Sequence, residues 1–390
     1  MIKNKTRAYF WATLVLSVSS FLVFANLYVV QPLLSLFAAR YAVSLNLANW
    51  IFAAASLGMS LCLIPWALLA DRYGRRLVML LSLSLSALFS LCLLFSDSVT
   101  AWIGLRFLQG IALAGLPAVA IAYISEEFEA SAVVPAVGIY IAANSLGGIS
   151  GRILGGILAE MFGLNAPMIF TALLTLGGAL LTYFCLPKER YFSPQSLAFK
   201  SMLANLCGHI KNPLLWRTFL ISGICFGMFV NMFSVIGLRL QQAPWLLNTL
   251  QVSLLFLCYL SGTFAASMAG RFSRRFSAPR GMLLGWLLLM SGMLLLISSS
   301  LWILIAGLLL CSIGFFFTHA LASAWVGKNA THARALASAL YLSSYYLGAS
   351  VGGNYLLTVW QQFGWHWIAP AAMFLLSGVL WLLSGMFKPR

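Results

Sequence analysis

Ala67-Leu68-Leu69-Ala70-Asp71-Arg72-Tyr73-Gly74-Arg75-Arg76 joins two uninterrupted apolar runs, residues 45–69 and 77–95, through one short charged turn. A helix needs roughly 20 apolar residues to cross a hydrocarbon core, and both runs are about that long. A backbone inside lipid must satisfy its own polar groups, so the runs read as helices. Gly74 supplies the tight turn between them, and the arginines mark the side of the membrane on which that turn lies.

The same pattern extends outward in both directions. Of the 390 residues, 62% are hydrophobic and 8% are charged, and the mean hydropathy is +0.96, more apolar surface than a soluble domain of this size can bury. Twelve apolar runs emerge, at 10–36, 45–69, 77–95, 101–125, 133–162, 166–186, 214–240, 249–270, 279–300, 302–326, 335–361 and 366–387. With loops falling on alternate sides, 19 of the 23 Lys and Arg lie on one side, which the positive-inside rule makes cytoplasmic together with both termini. Arg40 and Arg239 fall near the outer face, and Arg106 and Arg152 lie within runs. The formal charge of +16 is thus a topology signal, and no nucleic-acid partner is implied. Lys3, Lys5 and Arg7 precede a run that extends to about Leu36, too long for a secretory signal. The seven cysteines are scattered without C-x-x-C spacing and read as packing residues, so neither a metal nor a cofactor is expected.

Only one connection is long, Pro187 to Pro213 at the midpoint. Within it Phe199, Leu203, Leu206 and Ile210 recur at helical spacing beside Lys200 and Lys211, as in a helix lying in the cytoplasmic interface. This predicts an N-terminal bundle of six helices over 1–186, a linker over 187–213 and a second six-helix bundle over 214–390. An internal repeat agrees. A shift of 201 residues lays Tyr140 on Tyr341, Leu146 on Leu347, Gly147 on Gly348, Gly151 on Gly352 and Phe162-Gly163 on Phe363-Gly364. A shift of 199 lays Arg72, Arg75 and Arg76 on Arg271, Arg274 and Arg275.

Three motifs carry a family resemblance. The turn quoted first resembles the major facilitator signature G-x-L-a-D-r-x-G-r-[kr], with Ala67 in place of its first glycine. Asp71 at a helix end can face the positive N-terminus of a neighbouring helix, and such a contact would break and re-form as a gate latch, with Arg72, Gly74, Arg75 and Arg76 around it. The plainer reading is an inside-positive turn. Arg106-Phe107-Leu108-Gln109-Gly110 matches R-x-x-q-G. Gly147 to Gly156 aligns with the antiporter motif g-x-x-x-G-P-x-x-G-G, with Arg152 where the family has proline. The glycines at 147, 151 and 155 share one face and admit a close helix neighbour; Gly348 and Gly352 repeat that spacing. Over nearly its full length, including Tyr123-Ile124-Ser125-Glu126-Glu127 and His319 to Gly327, the chain resembles the YnfM-type branch of the major facilitator superfamily. The resemblance implies an all-α, twelve-helix inner-membrane transporter of the efflux type, in a branch associated with drug or arabinose export.

In such a fold the substrate sits near the midplane, so polar and aromatic side chains within runs are the candidate lining: Asn26, Tyr28, Gln31, Tyr140, Asn144, Asn231, Tyr259, Trp325, Tyr341, Tyr345 and Tyr346. Taken singly, each is better explained by packing, and the case for a lining rests on the set. A guanidinium in hydrocarbon costs about 2.5–3.5 kcal/mol on insertion scales, so Arg106, with Gln109, serves coupling or substrate, or else snorkels outward beside Trp102. Arg152 is deeper and is the leading substrate or coupling candidate. The seven carboxylates all fall near run ends or in loops, so no cation pocket is evident, and the two buried arginines favour a neutral or anionic substrate or an arginine-modulated proton site. Proton coupling then falls to His319, with an ordinary pKa of about 6.5, or to Glu160; a neutral core histidine is the competing reading of His319. The functional expectation is a proton-coupled exporter of a small organic solute, monomeric in the lipid bilayer. Uptake of a sugar or organic acid, and a non-transporting receptor on the same fold, are the alternatives. An enzyme is disfavoured, since no H-E-x-x-H or G-x-S-x-G set is present.

Overall fold

The computed structural model describes residues 1–4, 6–192, 194 and 199–387. Lys5, Lys388 and Arg390, and the side chains of Phe199 and Lys200, therefore lie outside the described residues. The described chain is helical: α1 (Arg7–Tyr28), α2 (Leu34–Tyr41), α3 (Leu45–Tyr73), α4 (Arg75–Cys92), α5 (Val99–Leu113), α6 (Gly115–Glu127), α7 (Ala130–Phe162), α8 (Ala166–Cys185), α9 (Phe199–Lys211), α10 (Pro213–Leu240), α11 (Thr249–Leu254), α12 (Tyr259–Arg275), α13 (Ala278–Leu295), α14 (Leu301–Asn329), α15 (Arg334–Phe363) and α16 (Ile368–Ser384). Among the described residues the sole β pairing is an isolated bridge of Ile2 with Phe128.

Polar residues set the starts of the helices. Thr6, Ser44 and Ser98 accept from the backbone N–H three residues on, and Asn212 accepts from Leu214 N just before Pro213. Three apolar runs are broken: the first at 29–33, where Pro32 has no N–H to donate; the fourth between Leu113 and Gly115, ahead of Pro117; and the eighth through a 3₁₀ turn at Leu255–Cys258. Hydropathy reads straight through such breaks, which persist in lipid where other groups satisfy the freed carbonyls. Among the described residues eleven stretches have both the length and the hydropathy of a membrane span. The twelfth, α15, has the length at 30 residues, but Ser343, Ser344, Asn354 and four tyrosines make it the most polar of the set.

By contacts the chain divides into two compact units, Met1–Ala198 with Asn248–Ser253, and Phe199–Leu247 with Leu254–Arg390. Each has its own glycine seam. In the first, Gly147, Gly151 and Gly155 of α7 lie against the carbonyls of Phe21, Ala25 and Val29, the last just past the end of α1, leaving no room for a Cβ. In the second, Gly348 and Gly352 of α15 lie against the carbonyls of Gly223 and Gly227 of α10. Gly163 and Gly364 end α7 and α15 at φ +85° and +86°, a conformation other residues rarely adopt. With Arg152 in place of proline, α7 runs 33 residues without interruption there, its one internal proline being Pro135.

Candidate functional site

Within the first unit three polar clusters are separately built. Arg106 is 0% exposed. Its Nε donates to Ile51 O at 3.2 Å, Nη1 to Asn26 O at 3.1 Å and to Gln109 Oε1, and Nη2 to Leu27 O at 2.7 Å. Two of those carbonyls belong to the last turn of α1, just before the Pro32 break, so the guanidinium caps the interrupted helix. Gln109 Nε2 extends the network to Ser90 Oγ at 2.6 Å, and Ser90 Oγ donates to Asn26 Oδ1 at 3.2 Å. Asn26 Nδ2 in turn donates to Thr175 Oγ1 of α8. Trp102 does not mark an interface here: it is buried, edge-on to Phe37 at 4.7 Å. Arg106 stays in the interior by exchanging water for fixed carbonyl dipoles.

The second cluster surrounds Arg152, 1% exposed. Its Nε donates to Gln31 Oε1 at 2.7 Å and Nη1 to Gly148 O at 2.8 Å, and the guanidinium lies over the Tyr28 ring, 3.8 Å from the centroid. Gln31 sits in the turn that breaks the first run, so the break also delivers a neutral acceptor and a π face to this charge. Nearby on the seam, Ser20 donates to Asn144 Oδ1, and Tyr140 is buried.

The third cluster is the turn between α3 and α4. Gly74 has φ +99°, and its N–H closes α3 on Ala70 O. Arg75 Nη2 pairs with Asp71 at 2.8 Å and with Glu126, at the end of α6, at 2.9 Å, while Nη1 donates to Ala70 O. Glu189 caps α4 by accepting from Arg76 N at 2.7 Å, and its carboxylate occupies the space a Cβ on Gly74 would need. Glu127 accepts from the backbone N–H groups of Arg190 and Tyr191, both at 2.9 Å. Arg72 lies beside Tyr73. Asp71 thus meets an arginine one turn on in sequence, and Glu126 and Glu189 are partners the motif did not name. The available signal was that five of the seven carboxylates, Asp71, Glu126, Glu127, Glu129 and Glu189, follow the ends of apolar runs on one side.

The second unit is aromatic where the first is charged. Tyr345 stacks on Phe226 at 3.5 Å and 14°, Phe226 on Phe315 at 5.3 Å, and Phe315 on Phe229 at 4.3 Å and 10°. Tyr259 packs on Phe229 and Phe233 at 4.9 and 4.8 Å, and Tyr346 stands edge-on to Tyr345 at 5.0 Å. His319 lies beside this stack, its Nδ1 2.8 Å from Tyr341 Oη. Asn231 is spent on structure, donating to Gly227 O and Ala349 O along the α10–α15 seam. Trp325 is half-buried and Glu160 is exposed at the end of α7, neither joined to these clusters. Among the described residues, no three His, Cys, Asp or Glu side chains converge as metal ligands do.

The family profile described as Major Facilitator Superfamily matches residues 16–353. The inner membrane transport protein YnfM of Escherichia coli strain K12 is 35% identical over 387 residues, covering 98% of this chain and 92% of that protein. The uncharacterized MFS-type transporter YybF of Bacillus subtilis strain 168 is 32% identical over 381 residues, covering 98% and 94%. In fold, the chain resembles a crystal structure of the nucleoside transporter NupG with a TM-score of 0.75 at 17% identity, over 97% of this chain and all of that one.

Proposed function

This chain belongs to the major facilitator superfamily, a family of multi-pass membrane transporters and not of enzymes, and from that premise we propose that it exports a small organic solute across a bacterial inner membrane in exchange for protons. Alternating access would be by rocking of two repeats about a site near the midplane, with both termini cytoplasmic, as the distribution of Lys and Arg favours, and with the monomer as working unit. The observation that carries the reading is Arg152, a fully buried charge held by a neutral amide, a carbonyl and a tyrosine face. With every carboxylate of the chain near a run end or in a loop, this guanidinium suits a neutral or anionic solute. Arg106 donates to three carbonyls and to Gln109, and we assign it to holding the break in the first span.

His319 is given the proton-carrying role, with Tyr341 fixing its ring, and the α3–α4 turn that of a latch on the inner face. Solute counterflow in proteoliposomes with a panel of organic anions, sugars and dyes tests the proposal. Transport of an anionic or neutral compound that is lost in Arg152→Ala and partly kept in Arg152→Lys supports it. Counterflow unaffected by Arg152→Ala removes the site assignment. Accumulation driven into right-side-out vesicles by an inwardly directed proton gradient reverses the direction to uptake. A folded protein that moves nothing points to a receptor on the same fold.

A further inference from the structure

After Glu189 the sequence contains no Asp or Glu, yet it carries thirteen of the 23 Lys and Arg. Four of these, Arg271, Arg274, Arg275 and Arg280, fall within ten residues at the end of α12, the turn and the start of α13, and all are exposed. The repeat shows what is missing. In the first unit the equivalent turn supplies Asp71, and Glu126 and Glu189 arrive from elsewhere to neutralise Arg75 and cap α4. In the second, Gly270 stands where Asp71 does, and among the described residues none of the four arginines is in an ion pair. Arg280 lies moreover in the first turn of α13, where the helix dipole repels a cation unless an anion joins it.

The surface beside the cluster says what kind of anion. Arg280, Leu284, Leu287 and Leu294 recur on one face of α13, and the three leucines are 40%, 49% and 53% exposed. The helix packs on α14 and α16 through its other faces. In a membrane this stripe meets acyl chains, and its basic end lies at headgroup depth. Inorganic phosphate would have no use for the leucines, and a soluble acidic peptide could not follow them into hydrocarbon.

We propose that Arg271, Arg274, Arg275 and Arg280 seat an anionic phospholipid of the inner leaflet, its phosphate on the guanidiniums and its acyl chains along Leu284, Leu287 and Leu294. The leaflet assignment rests on the orientation given under the proposed function; the seat itself does not depend on transport. Clustered basic residues beside a span end are the usual means of holding such headgroups.

Purified full-length protein, stripped of lipid in detergent, is incubated with phosphatidylglycerol, cardiolipin or phosphatidylcholine, and bound lipid is counted by native mass spectrometry. The wild type is expected to prefer the anionic lipids by about tenfold or more. A preference that survives in Arg271→Gln/Arg274→Gln/Arg275→Gln/Arg280→Gln overturns the site, as does equal binding of all three lipids. Displacement of phosphatidylglycerol by millimolar inorganic phosphate would show a site for free anion and overturn the lipid assignment. Size exclusion and circular dichroism check each variant for folding. Should the quadruple variant not fold, Arg274→Gln/Arg275→Gln decides, with a fall to less than half the wild-type preference expected and no change overturning the proposal. The four-fold Arg→Lys variant keeps the charge and is expected to keep most of the preference.

Discussion

The α1–α7 pair and the α10–α15 pair are the same joint made twice. In both, glycines of the long helix rest on backbone carbonyls of its partner, and in both the long helix ends on a glycine at φ near +85°. What lies on the joint is different. The first pair carries Arg152 over Tyr28 with Gln31, and the second carries Tyr345 on Phe226. Backbone-to-backbone contact tolerates no added atom, whereas the side chains flanking the seam answer only to each other. The repeat has therefore kept its mechanical contact while its chemistry separated into a charged half and an aromatic half.

The most damaging way to test that likeness is to fill the seams. Gly151→Val and Gly352→Val each drive a Cβ into a backbone carbonyl that cannot give way, and each is expected to prevent folding, seen as loss of a monodisperse peak in fluorescence-detected size exclusion. Similar loss on both sides upholds the equivalence, and a tolerated valine on either side breaks it. Next in size is Arg106→Leu. It orphans the carbonyls of Asn26 and Leu27 at the end of α1 and removes a second donor from Ile51 O, at about 3–5 kcal/mol for a broken buried network, read as a lowered midpoint of thermal unfolding in detergent. Arg152→Leu, which removes the donors to Gln31 Oε1 and Gly148 O but leaves the end of α1 held by Arg106, is expected to lower the midpoint by less while still abolishing transport; equal shifts would erase the distinction between a structural and a functional arginine. Asp71→Asn removes one arm of a half-exposed pair, and its stability effect is expected to be under about 1 kcal/mol. A clear change in transport rate with so small a change in stability is the mark of a latch.

The smallest effect concerns α9, which belongs to the aromatic half. His209 is buried, stacks on His332 at 4.8 Å and 16°, and has Nε2 3.3 Å from Ala333 O. Lys211 of α9, Lys328 of α14 and Arg334 of α15 are the nearby cations in sequence, and no carboxylate exists in this half to offset them. Burial holds the His209 pKa below its ordinary value, partly offset by the hydrogen bond to Ala333 O, with a lesser downward push from His332. A group with a lowered folded-state pKa stabilises the contact above its unfolded value, about 6.5, and that contribution is lost as pH falls through the folded one. Hydrogen exchange in residues 202–211 is therefore expected to quicken as pH falls below the ordinary histidine value of about 6.5, and His332→Gln should weaken that dependence by removing the repulsion. Exchange independent of pH would show that the stack contributes nothing to docking.

Sequence made the twelve runs, the doubling and the glycine seams legible because each is periodic: apolar length, a shift near 200 residues, and small residues every fourth position. It also singled out Arg152, since a charge so far from either end of an apolar run cannot easily snorkel to water. The breaks at Val29–Leu33 and at Ala114 left no trace in hydropathy, because a proline among apolar residues changes hydrogen bonding without changing polarity. For the same reason most of the company of Arg106 could not be read: besides Gln109, its partners are backbone carbonyls 55 to 80 residues away, and a carbonyl has no letter in the sequence. Glu189 was visible only as one scarce acid, since its use as the cap of α4 depends on how the chain returns after α8.

The stitching of Arg106 to Asn26 and Leu27 has a consequence for biogenesis. The first span leaves the ribosome with an unfinished helix, and the residue that completes it follows about 80 positions later. Until α5 arrives, those carbonyls have no protein partner and are poorly suited to lipid. The first span should therefore linger beside the insertion machinery, in a protected aqueous or polar niche, and be released into the bilayer together with the fourth. For this fold the unit of membrane insertion is then a set of four spans, and a nascent chain truncated before Arg106 should remain crosslinkable to the translocon.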